Sequence, residues 1–263
     1  MRLATWNVNS VTARLPRLVP WLEDVAPDVL CLQETKTAAF PVDEVAALGY
    51  EVAHNGDGRW NGSAILSRVG LADVALAFGE QPGYANEDEG ALLAVPVVEA
   101  RAVGATCGGL RVWSLYVPNG RSVDHPHYGY KLGWLAALRT ALAPEVAAGP
   151  FVVAGDFNIA PSDDDVWDPA AFVGSTHVTP AERAALADLR SLGLRDVVPR
   201  SMKGRNDTYW DYRAGMFHKG MGMRIDLVYA NDAVTITDAY VDREARKGTG
   251  PSDHAPVVVD LLL

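Results

Sequence analysis

Cysteine is scarce. Cys31 and Cys107 are the only two in 263 residues, too few for a structural zinc site or a disulfide framework. Cys31 lies in the apolar run Val29-Leu30-Cys31-Leu32 and reads as core, whereas Cys107 falls within Gly104–Gly109, which reads as a surface turn between strands. Such sparing use of thiols fits a reduced, cytoplasmic setting. Long apolar stretches are missing too. The longest, near Leu92–Val98, is interrupted by Pro96 and falls far short of the roughly 20 residues that span a bilayer. Met1–Ser10 turns polar before an apolar leader can form, so neither a membrane partner nor a secretory route is expected. Positive charge is the third shortage: 23 Lys and Arg stand against 33 Asp and Glu, a formal net charge of −10. That balance argues against a broad surface for polyanions, although a local basic patch can coexist with an acidic remainder.

What remains is the composition of an ordinary globular protein, 49% hydrophobic and 21% charged, with no repeat of solenoid length and no linker-like segment. Strands are predicted at Arg2–Val8, Asp28–Gln33, Gly62–Ser67, Ala91–Val98, Leu110–Val117, Phe151–Ala154, Arg224–Ala230, Val234–Val241 and Pro256–Leu263. Val11, Leu15, Leu18, Val19 and Leu22 recur at helical spacing after the first strand, and a second helix is predicted over His127–Ala147. A third opens at Thr179-Pro180-Ala181-Glu182, where Thr caps the helix, Pro fits its first turn and Glu closes a capping box. Asp163-Asp164-Asp165 reads as a solvated loop or helix start. The pattern predicts one α/β domain over residues 1–263, with two packed β-sheets flanked by helices.

The chemistry lies where polar residues meet strand ends. Apolar strands run into carboxylates or amides at Trp6-Asn7-Val8-Asn9, Leu32-Gln33-Glu34-Thr35, Val153-Ala154-Gly155-Asp156-Phe157-Asn158 and Arg224-Ile225-Asp226-Leu227-Val228. A fifth cluster, Ser252-Asp253-His254-Ala255-Pro256, precedes the final strand. Singly, each has an ordinary explanation: Asn or Asp after a strand is a turn residue, Glu34 a helix cap, Asp226 a buried ion-pair partner, His254 a structural imidazole. Jointly, Glu34, Asp156, Asp226 and Asp253 at one sheet rim would crowd four negative charges into a small cleft, which is costly without a cation. Carboxylates with Asn side chains suit Mg2+ or Mn2+, and a hard divalent ion beside His and Tyr equips a site for phosphoester hydrolysis.

These motifs, in this order, resemble exonuclease III and the apurinic/apyrimidinic endonucleases of the endonuclease–exonuclease–phosphatase superfamily. The resemblance runs from end to end through Thr5-Trp6-Asn7-Val8-Asn9, Leu32-Gln33-Glu34-Thr35-Lys36, Tyr116-Val117-Pro118-Asn119-Gly120, Gly155-Asp156-Phe157-Asn158, Trp210-Asp211-Tyr212-Arg213, Arg224-Ile225-Asp226-Leu227 and Ser252-Asp253-His254-Ala255-Pro256. It implies a DNase I-like, four-layer α/β sandwich. It also implies a metal set drawn from Asn7, Glu34, Asp156, Asn158, Asp253 and His254, with Glu34 the principal ligand. Asp156 would orient or deprotonate the attacking water, Asn158 would hold it or a phosphate oxygen, and His254, oriented by Asp226, would donate to a non-bridging oxygen. Tyr116 would stabilise transition-state charge or assist the leaving group.

The resemblance further implies a Mg2+-dependent repair nuclease, a monomer acting on double-stranded DNA with abasic sites or blocked 3′ ends. Arg200–Arg224 carries Arg200, Lys203, Arg205, Arg213, Lys219 and Arg224 against Asp207 and Asp211, six minus two, or +4 locally. Cations interleaved with aromatic and apolar side chains suit a loop that grips phosphates and enters a minor groove. Tyr209, Met223 and, just after the segment, Ile225 match the positions that line the family's pocket for a flipped, base-free sugar. Trp210, Asn119 and Arg213 are further substrate candidates, although Trp210 also reads as packing against the sheet edge. Arg14, Lys36 and Arg121 are candidate phosphate contacts. Departures stand out: the family usually has Trp or Phe where Tyr209 stands and often Trp at Met223, and relatives usually carry Arg at or near Ala91, in Glu89-Gly90-Ala91. The alternative is a superfamily phosphodiesterase or phosphatase acting on a lipid headgroup or inositol phosphate, which would share the metal site but not the loop.

Overall fold

The computed structural model describes residues 1–85 and 95–263. Its strands are β1 (Arg2–Asn7), β2 (Val29–Gln33), β3 (Glu51–Asn55), β4 (Ser63–Ser67), β5 (Ala72–Ala75), β6 (Ala102–Cys107), β7 (Leu110–Tyr116), β8 (Phe151–Asp156), β9 (Arg195–Asp196), β10 (Asp226–Ala230), β11 (Thr235–Val241) and β12 (Val257–Leu262). The helices are α1 (Val11–Val25), α2 (Val42–Ala46), α3 (Pro126–Ala148), α4 (Pro180–Arg190) and α5 (Met216–Lys219). None is long and apolar enough to cross a membrane among the described residues. The strands form two six-stranded sheets, ordered β11-β12-β1-β2-β4-β3 and β5-β6-β7-β8-β10-β9. Each holds one parallel pair, β1 with β2 across α1 and β7 with β8 across α3.

Alternation along the strands sets the layers. Leu3, Val29, Cys31, Val112, Val152, Ala154, Val228, Val257 and Val259 form one buried cluster between the sheets. Intervening residues Ala4, Trp6, Leu30, Leu32 and Val258 face outward, where Leu18, Trp21 and Leu22 of α1 cover them. On the second sheet Trp113, Leu115, Phe151, Val153, Leu227 and Tyr229 meet Trp134, Leu135 and Leu138 of α3 and Leu186 and Leu189 of α4. The result is a four-layer α/β/β/α sandwich. Ser10 caps α1 by accepting from Ala13 N, and Thr179 and Glu182 form the predicted capping box of α4.

The same alternation delivers polar side chains to one end of the inner layer. Leu3, Thr5 and Asn7 follow one another on β1, Val29, Cys31 and Gln33 on β2, Val112, Ser114 and Tyr116 on β7, and Val152, Ala154 and Asp156 on β8. All four rows turn from apolar to polar at the strands' C-terminal ends. Antiparallel β10 contributes Asp226 opposite Asp156.

Several local expectations change. Gly104–Gly109 is not a surface turn. β6 runs through Gly104, where a Cβ would lie 2.7 Å from the Trp113 ring, and only Gly108 and Gly109 turn. Cys107 accordingly ends a strand and is buried. Asp165 of the acidic run is also buried, at 6% exposure. Half of the predicted strand Ala91–Val98 lies outside the described residues, as does Glu89-Gly90-Ala91; Val97 makes a single bridge to Tyr84. The edge strands β3, β5 and β9 were not foreseen.

Two predictions follow from packing. A Cβ on Gly155 would lie 1.9 Å from the Leu115 carbonyl oxygen across the parallel β7–β8 ladder. Gly155→Ala is expected to destabilise the fold by about 3 kcal/mol, measured by urea denaturation. His127, 5% exposed, accepts a hydrogen bond at Nδ1 from Gly120 N at 3.1 Å. Burial, aided by Arg101, lowers its pKa to about 4. Between pH 6.5 and 4 the unfolded chain therefore takes up the proton that the folded one refuses, so this contribution to stability falls as pH falls. In the same window the gap in denaturation midpoint between wild type and His127→Asn should narrow.

Candidate active site

The site is assembled from the polar strand ends. Tyr116 on β7, Asp156 on β8 and Asp226 on β10 stand side by side in register. Asn7 ends β1, and Glu34 follows β2 in a left-handed conformation with φ 54°. Such a backbone costs a non-glycine residue on the order of 1–3 kcal/mol and persists only where neighbours enforce it. Here Ser10 N donates to the Glu34 carbonyl at 2.7 Å, and Thr35 N donates to Gly62 O at 3.2 Å. His254 arrives on the loop before β12, its carbonyl accepting from Trp6 Nε1 at 3.2 Å.

One ligand atom from each of Glu34, Asp156 and His254 lies within 4.8 Å of the others. Asn7 Nδ2 bridges the two carboxylates, donating to Glu34 Oε1 at 2.7 Å and Asp156 Oδ2 at 2.9 Å, while its Oδ1 accepts from Asn9 N. His254 Nδ1 lies 2.8 Å from Asp226 Oδ2, and Nε2 lies 3.9 Å from Asp156 Oδ2. The imidazole is thus held from behind by one aspartate with its free edge turned to another.

The electrostatics reflect crowded carboxylates. Burial, with Asp226 and Glu34 nearby, pushes Asp156 up to about 7 against the pull of His254. Burial opposes a charged His254, but Asp226 above all, then Asp156 and Asp253, raise it to about 10. Burial would raise Glu34 as well, yet the Lys36 ammonium, 2.7 Å away, and the Asn7 amide hold its carboxyl below the ordinary value. Burial and the Glu34 charge raise the Tyr116 phenol. Asp226 Oδ1 is buried with no partner. A buried group of carboxylates with an orphaned oxygen is suited to a hard cation.

Other predicted residues surround this centre. Asp253 stands outside the three-residue group. Its Oδ1 accepts from Asn9 Nδ2, and Asn9 Oδ1 accepts from Lys36 Nζ. Lys36, expected as a phosphate contact, is therefore engaged with Glu34 and Asn9. Asn158, at φ 52°, donates its backbone N–H to Asp156 Oδ1 and accepts from Asn119 Nδ2 at 3.1 Å. Tyr209 packs its ring 4.8 Å from His254 and joins Met223, Ile225, Ala160 and Val166 in an apolar cluster. Trp210 is fully buried against Phe217, Val241 and Ala255, so its substrate-contact reading gives way to packing.

Comparison with known proteins decides the family. Residues 4–254 match the Endonuclease/Exonuclease/phosphatase family. The chain belongs to that family. It is similar to exodeoxyribonuclease III of Haemophilus influenzae, 31% identical over 98% of each chain. Solved structures resemble it over 100% of both chains: a Neisseria 3′ phosphatase bound to product DNA hairpin, at 34% identity and TM-score 0.90, and an AP endonuclease from Archaeoglobus fulgidus, at 32% and 0.89. The protein is thus a nuclease of the exodeoxyribonuclease III type, a phosphodiester hydrolase.

In this nuclease the segment Arg200–Arg224 is not the +4 patch that its local count implied. Arg200 pairs with Asp238, Arg205 with Asp207 and Arg213 with Asp211. Arg224, 2% exposed, is gripped by both Asp165 at 2.6 Å and Asp196 at 2.9 Å. Three of these aspartates lie outside the segment, beyond the reach of a local tally. Arg14 donates to the Tyr212 hydroxyl at 3.0 Å, and Arg121 is exposed beside His125.

Three residues near the centre carried no signal as single letters. Thr208 Oγ1 accepts from Ile225 N and Asp226 N, fixing the start of β10. Arg101, paired with Glu99, stacks 4.8 Å from the Tyr116 ring centroid. Lys131, buried in α3, contacts the Asn119 and Asn158 carbonyls. Removing a buried cation strands its partners, so Arg224→Met is expected to cost about 3–5 kcal/mol in urea denaturation.

Proposed function

We propose that this nuclease is a Mg2+-dependent enzyme of duplex DNA repair, working as a monomer in the cytoplasm with residues 1–263 forming one catalytic domain. It removes nucleotides or blocking groups from 3′ ends and cuts 5′ to abasic sites, leaving 3′-hydroxyls. The observation that carries this reading is the convergence of Glu34, Asp156 and His254 to within 4.8 Å, with Asp226 behind the imidazole. The exonuclease, 3′ phosphatase and AP endonuclease named among its relatives support that range of activities.

The donor set fits a hard divalent ion, with Mn2+ as a substitute. Glu34 is its principal holder, and Asn7, Asp156, Asn158, Asp253 and His254 complete or border its site. For Asn7 to offer oxygen, its amide must turn from the arrangement in which nitrogen bridges the carboxylates. When bound, the ion supplies Lewis-acid charge to the phosphate.

The chain's own residues do the rest. Asp156 accepts the proton of the attacking water at a carboxylate oxygen or orients that water, and Asn158 holds the water or a phosphate oxygen. His254 donates from Nε2 to a non-bridging oxygen, while Asp226 fixes Nδ1 and so the ring's direction. Tyr116 stabilises charge at the phosphate or assists the leaving group. Tyr209, Met223 and Ile225 form the apolar wall against which a base-free sugar rests, with Asn119 and Arg213 at its approaches.

The test is a 5′-labelled duplex with one tetrahydrofuran lesion, incubated with Mg2+, with Mn2+ and with EDTA. Cleavage is expected with either metal and none with EDTA, and the product ladder separates incision from end resection. Glu34→Ala should lose about a hundredfold or more in rate. Full Mg2+-dependent cleavage by that variant would contradict the assignment.

A further inference from the structure

A second charge cluster lies behind the site, entirely buried. Lys131 projects from the apolar face of α3 that also carries Trp134, Leu135 and Leu138, and both Lys131 and Glu182 of α4 are 0% exposed. Their side chains meet at 2.5 Å. A pair removed this far from water is a poor source of stability, because desolvation of both ions offsets most of their attraction. Its hydrogen bonds point instead to placement. Besides Glu182, Lys131 Nζ donates to Asn158 O at 2.8 Å and Asn119 O at 3.2 Å, so all three ammonium protons have acceptors. Two of those acceptors belong to the loops that leave β7 and β8.

Glu182 anchors this arrangement from the other side. Its Oε1 lies 2.6 Å from Thr176 Oγ1 and accepts from His177 N at 2.9 Å. Its Oε2 accepts from Thr179 N while its own backbone N–H donates to Thr179 Oγ1, which is the capping box. Thr176 Oγ1 is also 3.2 Å from Asn119 O, and His177 Nδ1 is 2.6 Å from Asn158 O. The carbonyls of Asn119 and Asn158 are therefore clamped from α3 and from the segment entering α4. Between them the two side chains join at 3.1 Å, and Asn158 keeps its left-handed backbone.

We propose that Lys131, held by Glu182, is a positioning residue of the nuclease reaction: its ammonium sets the two loops that aim the Asn119–Asn158 amide pair at the phosphate. The proposal rests on the role given to Asn158 above. Misplacement of such a group by about 1 Å costs on the order of a hundredfold in rate.

The test compares steady-state cleavage of an abasic duplex by wild type and by Lys131→Met/Glu182→Leu, which removes both charges together and leaves neither ion stranded. The expected result is a fall in kcat of roughly 30- to 100-fold with KM within about threefold. On an Asn158→Ala background the same double substitution should have little further effect, because the two act through one group. An unchanged kcat, or an equal loss on both backgrounds, overturns the proposal. If that variant does not fold, Thr176→Val keeps both charges while removing one hydroxyl from the clamp, and a kcat loss of about three- to tenfold is expected. Unchanged turnover in Thr176→Val would then refute the clamp. Full activity of Asn158→Ala by itself would overturn the active-site reading and this proposal together, whereas an impaired Asn158→Ala beside normal Lys131 variants would overturn this proposal alone.

Discussion

Repulsion among buried carboxylates is the constraint on which the site depends. Glu34, Asp156 and Asp226 are drawn together at the polar end of an otherwise apolar space between two sheets. In that setting each negative charge raises the cost of the next. The groups that relieve it come from distant parts of the chain: Asn7 from β1, Lys36 from the loop after β2, and His254 from the loop before β12. Charge balance thereby couples the register of both sheets to the geometry of this polar end. The orphaned oxygen of Asp226 and the raised pKa of Asp156 mark where protein groups alone leave that balance incomplete.

Much of this was legible in the linear order of residues. Polar Asn, Glu or Asp residues recurring at the ends or starts of five apolar strands announced the rim, because the ordinary reading of each one alone does not account for their joint occurrence. The buried strands β1, β2, β4, β7, β8, β10 and β12 carried enough apolar residues to be recognised. β3, β5 and β9 did not, since edge strands bury little and pair on one side. Glycine misled at Gly104, where it makes room for the flat face of Trp113 instead of turning the chain.

Charge was harder to read than hydrophobicity, for a physical reason. Apolar periodicity is local, while the partner of a charged group can lie anywhere in the sequence. Arg224 counted as part of a basic loop until Asp165 and Asp196 were seen to enclose it. Glu182 looked like the acid of a capping box and is one, but it also neutralises Lys131 across 51 residues. Lys131 itself, in the run Tyr130-Lys131-Leu132-Gly133-Trp134, gave no hint beyond being a lone cation on an apolar helix face.

The order of strands in the first sheet bears on biosynthesis. β12 lies between β11 and β1, and its pairing with β1 spans almost the whole sequence, from Arg2 opposite Asp260 to Thr5 opposite Val257. A nascent polypeptide that has emerged through β11 already carries Glu34 and Asp156, yet it lacks both the imidazole and the strand that closes the sheet. Imidazole and carboxylates therefore come together only once β12 has paired with β1, so a polypeptide stalled short of His254 lacks part of this polar end.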